Sequence, residues 1–159
     1  MPTPTYTALA NITLGSSASS VTFSSIPATY RDLVLVSTNS MTTSASLFVR
    51  FNNDTGANYT TARMYNSAGG ATPVSDTYAP AEIGYNTTTN MGIANIMDYS
   101  ATDKHKTYLT RWGNADGTNY VQAYAARWAN TAAITTVNIA PSTGQIASGS
   151  TFALYGIAS

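Results

Sequence analysis

Residues 32–37 read Asp-Leu-Val-Leu-Val-Ser, a run of strand length that decides the expected fold. Four consecutive apolar residues, 33–36, are typical of a strand covered on both faces. Two other segments alternate instead: residues 47–51 read Leu-Phe-Val-Arg-Phe, and residues 151–157 read Thr-Phe-Ala-Leu-Tyr-Gly-Ile. Alternation with a period of two is typical of a half-buried strand. The chain is therefore expected to consist of β-strands.

Comparable segments recur along the chain, separated by turn-forming residues. The further predicted strands cover residues 6–14, 18–23, 59–65, 81–85, 91–99, 106–112, 120–128 and 134–140. Asp-Gly at 116–117 predicts a hairpin turn, and the Gly-, Ala- and Pro-rich segment 67–80 is expected to be a long loop. Many short strands in one domain predict an all-β fold, an antiparallel β-sandwich of jelly-roll type.

Length and charge exclude several classes of protein. A chain of 159 residues is expected to form a single domain over 1–159, with residues 1–5 as an N-terminal arm. Only 9% of the residues are charged, and the formal net charge is zero. Binding to nucleic acid or to a membrane surface needs clustered Lys and Arg, so neither partner is expected. The chain lacks cysteine, which excludes disulfides and thiolate chemistry.

Sequence signals for catalysis are weak. The single histidine, His105, lies in a polar segment, and no Gly-x-Ser-x-Gly motif is present. Glu82 is the only glutamate, whereas most glycosidases need paired carboxylates. We therefore expect a protein that is not an enzyme and uses no cofactor. A hydrolase would require a cleft that joins His105 or Glu82 with another acid.

Residues 52–54, Asn-Asn-Asp, allow two interpretations. Their side-chain oxygens suit calcium, but only one of the three is charged. Asn and Asp are also typical of turns in which the side chain accepts hydrogen bonds from backbone amides. The turn is the favoured interpretation, and no metal site is predicted.

Three stretches carry a resemblance to a known family. Residues 21–27 read Val-Thr-Phe-Ser-Ser-Ile-Pro, residues 51–54 read Phe-Asn-Asn-Asp, and residues 149–157 read Gly-Ser-Thr-Phe-Ala-Leu-Tyr-Gly-Ile. Together they resemble small virion structural proteins of tailed bacteriophages, described as decoration, knob or fibre-tip proteins. The resemblance spans nearly the whole chain except residues 67–89. It implies a β-sandwich of jelly-roll type that forms an outer part of the virion, commonly as a homotrimer.

The function expected from this resemblance is capsid decoration. The protein would be made in the host cytoplasm and would bind the major capsid protein and copies of itself on the outer surface of the particle. The alternative is a tail-fibre or tail-tip module that binds a host surface glycan. Trp112 and Tyr120 are the candidate contacts for a glycan or partner, because Trp112 lies beside a turn and its ring is expected to be exposed.

Charged residues within or beside strands suggest ion pairs. Arg31 and Asp32 begin the most apolar strand, and Arg111 and Asp98 lie in or beside predicted strands. Arginine suits carboxylates at buried sites and interfaces because its guanidinium group can form two parallel hydrogen bonds. These four residues are therefore candidates for ion pairs inside the sandwich or across a subunit interface.

Overall fold

The computed structural model describes residues 4–67, 70–77, 79–114 and 120–158, with the backbone alone for residues 67 and 70–77. These residues form twelve β-strands and no helix. The strands are β1 (Tyr6–Thr13), β2 (Val21–Phe23), β3 (Asp32–Asn39), β4 (Ser46–Phe51), β5 (Tyr59–Ser67), β6 (Gly70–Thr77), β7 (Glu82–Tyr85), β8 (Asn90–Ile96), β9 (Lys106–Asn114), β10 (Val121–Trp128), β11 (Val137–Pro141) and β12 (Thr151–Ile157).

Eight of these strands form two facing layers in jelly-roll order. One layer runs β1-β12-β3-β8, and the other runs β2-β11-β4-β7. All of their neighbouring pairs are antiparallel. This order arises when the chain folds as two Greek keys, so that the last strands insert between the first ones. The predicted antiparallel β-sandwich of jelly-roll type is confirmed.

Two hairpins widen the first layer into an eight-stranded sheet. The hairpin β5–β6 follows β4 in the chain, and the hairpin β9–β10 follows β8. The complete order is β1-β12-β3-β8-β9-β10-β5-β6, here called the large sheet, and the four-stranded layer is the small sheet. The edge strand β7 of the small sheet lies over β8 and β9. The strands beyond β9 therefore extend past this edge.

Alternating side chains fill the space between the sheets, as the sequence predicts for β4 and β12. Leu47, Val49 and Phe51 are fully buried, and so are Phe152 and Leu154 from the large sheet. Phe51 packs edge-on against Tyr108 and also contacts the rings of Tyr59 and Trp128, with centroids 4.8 to 6.4 Å apart. Burying each large apolar side chain contributes about 1.5–3 kcal/mol, so this face defines the strand register.

Three predictions about individual segments are wrong. Segment 67–80 contains strand β6, although residues 68, 69 and 78 lie outside the described residues. An edge strand needs a partner on one side only, which makes Pro73 tolerable there. Within the run 33–36, residues 33–35 are buried, but Val36 is exposed on the outward side of the sheet, so the strand is not covered on both faces along its whole length. In β1 the pairing shifts between Ala8 and Ala10, and this bulge breaks the predicted alternation.

Other predicted features lie partly outside the described residues. Strands β9 and β10 pair antiparallel, as the predicted hairpin requires, but residues 115–117 of its turn are outside the description. Of the expected N-terminal arm, residues 1–3 are also outside. Thr5 is exposed, and its carbonyl accepts a hydrogen bond from the Ala158 backbone N–H at 3.0 Å.

The motifs that carry the family resemblance form structural contacts. The Tyr30 ring covers Gly156 of β12 so closely that a Cβ at this position would overlap the ring. Tyr99 anchors the same connection, since its hydroxyl donates to the Pro27 carbonyl and accepts from the Tyr30 backbone N–H. Residues 149–157 therefore require glycine at position 156 because an aromatic ring occupies the side-chain space.

Substituting Gly156 tests this contact. Gly156→Ala is expected to lower the free energy of unfolding by about 1–3 kcal/mol, because the added methyl group must displace the Tyr30 ring. Gly15→Ala is the matched control, since a Cβ there has open space and the expected change is within about 0.5 kcal/mol. Urea unfolding of both variants measures the difference. Equal stabilities would contradict the assigned role of Gly156.

Candidate functional site

Residues 52–54 form a left-handed turn that joins the two sheets. Asn52 and Asn53 have φ of 50° and 56°. The Asn52 side chain accepts hydrogen bonds from the backbone N–H groups of Thr135 and Thr136, and its amide donates to the Ala133 carbonyl at 2.8 Å. The turn interpretation is confirmed, because the side-chain oxygen of Asn52 is used within the chain.

The Asp54 carboxylate is also engaged by neighbouring donors. It accepts hydrogen bonds from Trp128 Nε1 at 2.7 Å, from the Asn58 side chain at 2.9 Å and from the Gly56 backbone N–H at 2.8 Å. Burial alone would raise the pKa of Asp54, but these three hydrogen bonds hold it below its ordinary value. Asp54 therefore ties the turn to the buried ring of Trp128, which packs in the sandwich as predicted.

Acid titration tests the role of Asp54. A carboxyl whose pKa is depressed by folding adds stability that is complete above its unfolded pKa of about 3.9 and is lost as the pH falls through the folded value. Asp54→Asn is expected to lower the free energy of unfolding at pH 7 by about 1–3 kcal/mol and to flatten its decline below pH 4. Urea unfolding between pH 2 and 7 measures both effects. Trp128→Phe should reproduce part of the flattening, and unchanged slopes in both variants would contradict the assignment.

The predicted ion-pair residues lie on the surface. Arg31 Nε contacts Asp32 Oδ2 at 2.7 Å, but the arginine side chain is 62% exposed. Asp98 pairs with Lys104 at 3.2 Å, and its backbone N–H donates to Asp32 Oδ1 at 2.9 Å. The expectation of pairs inside the sandwich is therefore wrong for these residues. These residues lie at or near the ends of strands, close to solvent. An ion pair there contributes about 0–1 kcal/mol to the free energy of unfolding.

Arg111 lies elsewhere, at the centre of the solvent-facing side of the large sheet. Six strands, β12, β3, β8, β9, β10 and β5, contribute to this side, and residues that are paired between neighbouring strands form rows across it. The central row is Ala153, Val36, Ile93, Arg111, Ala123 and Met64. The two adjacent rows are Thr151, Thr38, Met91, Gly113, Val121 and Asn66, and Tyr155, Val34, Asn95, Leu109, Ala125 and Ala62. These three rows are called the outer face.

The outer face is apolar and nearly uncharged. Val36, Met64, Met91, Leu109 and Val121 all belong to it, with exposed fractions between 41% and 66%. Arg111 is the one charged residue in its three rows. Contiguous exposed apolar surface on a soluble protein commonly marks an interaction site. The outer face is therefore a candidate interface.

The prediction that the Trp112 ring is exposed is wrong. Trp112 is 3% exposed, because the alternation of β9 directs it inward together with Tyr108. Its ring stacks on Tyr85, with centroids 6.5 Å apart and an interplanar angle of 30°. Tyr120 packs edge-on against the same Tyr85 ring at 6.1 Å and remains partly exposed. The two predicted contact residues thus both contact the Tyr85 ring.

Tyr120 and Tyr85 line a polar pocket of about 240 Å³ between β7 and the strands β5 and β10. This pocket is called the end pocket. Its lining residues are Ser46, Arg63, Tyr65, Glu82, Tyr85, Tyr120 and Gln122. Glu82 is 9% exposed, and its backbone carbonyl accepts a hydrogen bond from Thr110 Oγ1 at 2.7 Å. A lone glutamate in an otherwise apolar strand is the sequence signal that could have indicated this site.

Tyr124 connects the charged groups of the end pocket. Its hydroxyl donates to Gln122 Oε1 at 2.7 Å and also contacts the side chains of Glu82 and Arg63. Burial raises the pKa of Tyr124, and the negative charge of Glu82 raises it further. The Tyr124 hydroxyl therefore stays protonated, and its single proton is donated to Gln122, which fixes the amide of that residue at the pocket.

The residues considered for hydrolysis are not joined. His105 is exposed in the loop between β8 and β9, whereas Glu82 lies in the end pocket, whose lining contains no second acid. Within the described part of the chain, no group of three or more His, Asp or Glu side chains could hold a metal ion. The described residues also contain no helix that is long and apolar enough to cross a membrane.

Comparison with known proteins does not assign this chain to a family. No family model matches this chain, and no curated protein matches it. Among solved structures, it is similar to an aerolysin-like protein from Bombina maxima at 8% sequence identity, over 91% of this chain and 86% of the other. The TM-score of 0.12 is too low to bear on fold or function. The resemblance to phage virion proteins therefore stays a prediction.

Proposed function

We propose that this protein is a non-enzymatic structural protein of a tailed-bacteriophage virion that decorates the outer surface of the capsid. The observation that carries the proposal is the outer face, because a large apolar sheet surface suits a protein that is buried in an assembly. The resemblance of the motifs and the jelly-roll order add support, since this fold is used in viral capsid proteins. The fold argument is an analogy and does not by itself define the role.

The charge on the outer face selects its partner. A two-fold pairing of the face with itself would bring the Arg111 side chains of two copies close together within an apolar contact. An arginine at the centre of an apolar interface is instead stabilised by a carboxylate on the partner. The occupant that fits is therefore a different protein, the major capsid protein, with an apolar patch around an acidic residue.

Decoration would stabilise the shell by binding only to the assembled lattice. A ligand that binds the folded assembly and not its separated parts shifts the equilibrium towards the assembly. A homotrimer, as the resemblance implies, would engage several capsid subunits at once and would gain avidity from the linked contacts. The few surface charges would leave apolar contact as the main source of affinity.

Copy number in the particle tests the proposed location. Quantitative mass spectrometry of purified particles, measured against the major capsid protein, is expected to find this chain in hundreds of copies. A head lattice offers that many equivalent positions, whereas a tail tip offers few. A count of a few tens or fewer would overturn capsid decoration.

Reversing the charge of Arg111 tests the proposed docking surface. Arg111→Glu is expected to weaken binding to particles that lack this protein at least tenfold, about 1.4 kcal/mol, because two carboxylates would meet in an apolar contact. Co-sedimentation with particles measures the change. Arg31→Glu is the control, since Arg31 lies outside the outer face and is exposed. Equal binding by both variants would show that another surface docks, and thermal unfolding checks that both remain folded.

A tail-fibre or tail-tip module that binds a host glycan is the second candidate function. The end pocket favours it, because Tyr85 and Tyr120 flank a polar opening beside Glu82. Low copy number together with binding of purified protein to host cells would support this candidate over decoration.

A further inference from the structure

We propose that the end pocket binds one ring of a neutral saccharide. The inference does not depend on where in a virion the protein resides, because it rests on the pocket alone. The pocket combines aromatic rings, hydroxyl groups, an amide and two opposite charges within about 240 Å³. These are the groups that a ligand dense in hydroxyls can satisfy.

The polar groups of the pocket match a ligand with many hydroxyls. The Glu82 carboxylate can only accept hydrogen bonds, the Arg63 guanidinium can only donate them, and the Gln122 amide can do both. A sugar hydroxyl both donates and accepts, so neighbouring hydroxyls can bridge such groups. Hydrogen bonds to the charged groups are roughly twice as strong as neutral ones, which would give orientation to a small ligand.

The aromatic side of the pocket offers a surface for the C–H face of a sugar ring. The Tyr85 ring contacts Trp112, which stacks on it at 6.5 Å, and Tyr120, which packs edge-on at 6.1 Å. Arg63 in turn lies over the Tyr65 ring, with its Cζ 5.0 Å from the ring centroid. Rings fixed by their neighbours lose little conformational entropy on binding, which favours recognition.

The Trp112 ring does not line the end pocket, but it stacks on Tyr85, which does. Trp112 is 3% exposed, and its Nε1–H has no hydrogen-bond acceptor within the described part of the chain. Most buried donors in folded proteins have a partner, so an orphaned one is unusual. This donor belongs to the ring that stacks on Tyr85 of the pocket lining. This unpaired donor is adjacent to the pocket through Tyr85 and is not itself part of the pocket lining.

The charge and the volume of the end pocket indicate which class of ligand it would bind. Arg63 and Glu82 both line the pocket and both contact Tyr124, so the two opposite charges compensate each other locally. A neutral ligand leaves this balance intact, whereas an acidic or basic ligand would disturb it. The volume lies below the roughly 300–1,000 Å³ typical of sites for drug-sized molecules. One pyranose ring at the end of a longer glycan is the expected occupant.

The end pocket and the outer face are on opposite sides of the large sheet. In β10, Gln122 and Tyr124 point to the inner side of the large sheet, while Val121 and Ala123 belong to the outer face. A partner docked on the outer face would therefore leave the pocket opening uncovered. Saccharide binding and lattice docking can be lost separately, which makes the two proposals independently testable.

Saturation-transfer NMR on the purified chain tests the proposal, with glucose, galactose, mannose and N-acetylglucosamine as separate probes. The expected result is saturation transfer to at least one of the four sugars. Tyr120→Ala and Glu82→Gln should each reduce this signal at least tenfold. Tyr6→Ala is the matched control, because Tyr6 is an exposed tyrosine on β1 far along the sheet from the pocket, and its removal should leave the signal unchanged.

Each other outcome overturns the proposal. Absence of transfer from all four sugars in the unmodified chain would exclude a neutral monosaccharide site. Equal transfer in Tyr120→Ala, Glu82→Gln and the unmodified chain would place any binding outside the end pocket. Tyr120 is partly exposed and Gln is close in shape to Glu, so thermal unfolding should find both variants folded. None of these results depends on particle binding.

Discussion

The insertion of β12 between β1 and β3 is the constraint on which the rest of the structure depends. β1 has β12 as its one neighbour in the large sheet, so the N-terminal strand is held by the last residues described. The register pairs Leu154 with Leu35 and Gly156 with Leu33, and the Tyr30 ring closes over Gly156. In the small sheet, β11 is inserted in the same way between β2 and β4. Pairings between segments so distant in the chain are expected to slow folding, because the entropy of closing a long loop is lost before the contacts stabilise the structure.

Four of the few charges lie at strand ends and Lys106 is buried, whereas Arg50, Arg111 and Arg127 lie on the solvent-facing sides of the sheets. Arg31, Asp32, Asp98 and Lys104 pair at the ends of strands. Lys106 is buried instead, donating to two backbone carbonyls, and burial lowers its pKa. This placement leaves the outer face with one arginine, and a patch of this kind promotes association unless a partner covers it.

Sequence periodicity predicts most strands here, because one buried face leaves a two-residue pattern. It predicts the bounds of β12 and the inward residues of β4 correctly. β6 was missed because an edge strand with proline and glycine has little apolar pattern. The prediction that Trp112 is exposed is wrong because it relies on the turn that follows this residue. The parity that it shares with Tyr108 within β9 is the better indicator of burial.

The end pocket could not be predicted in the same way. Alternation along a strand indicates which face of the sheet a residue occupies, but it does not indicate whether the residue lies near the end or in the middle of the sheet. Arg63, Glu82 and Gln122 come from three strands, and only the jelly-roll order with its inserted hairpins brings them together. The insertions β5–β6 and β9–β10 supply both the pocket wall and much of the outer face. The surfaces proposed for function therefore depend largely on the two hairpins that widen the large sheet.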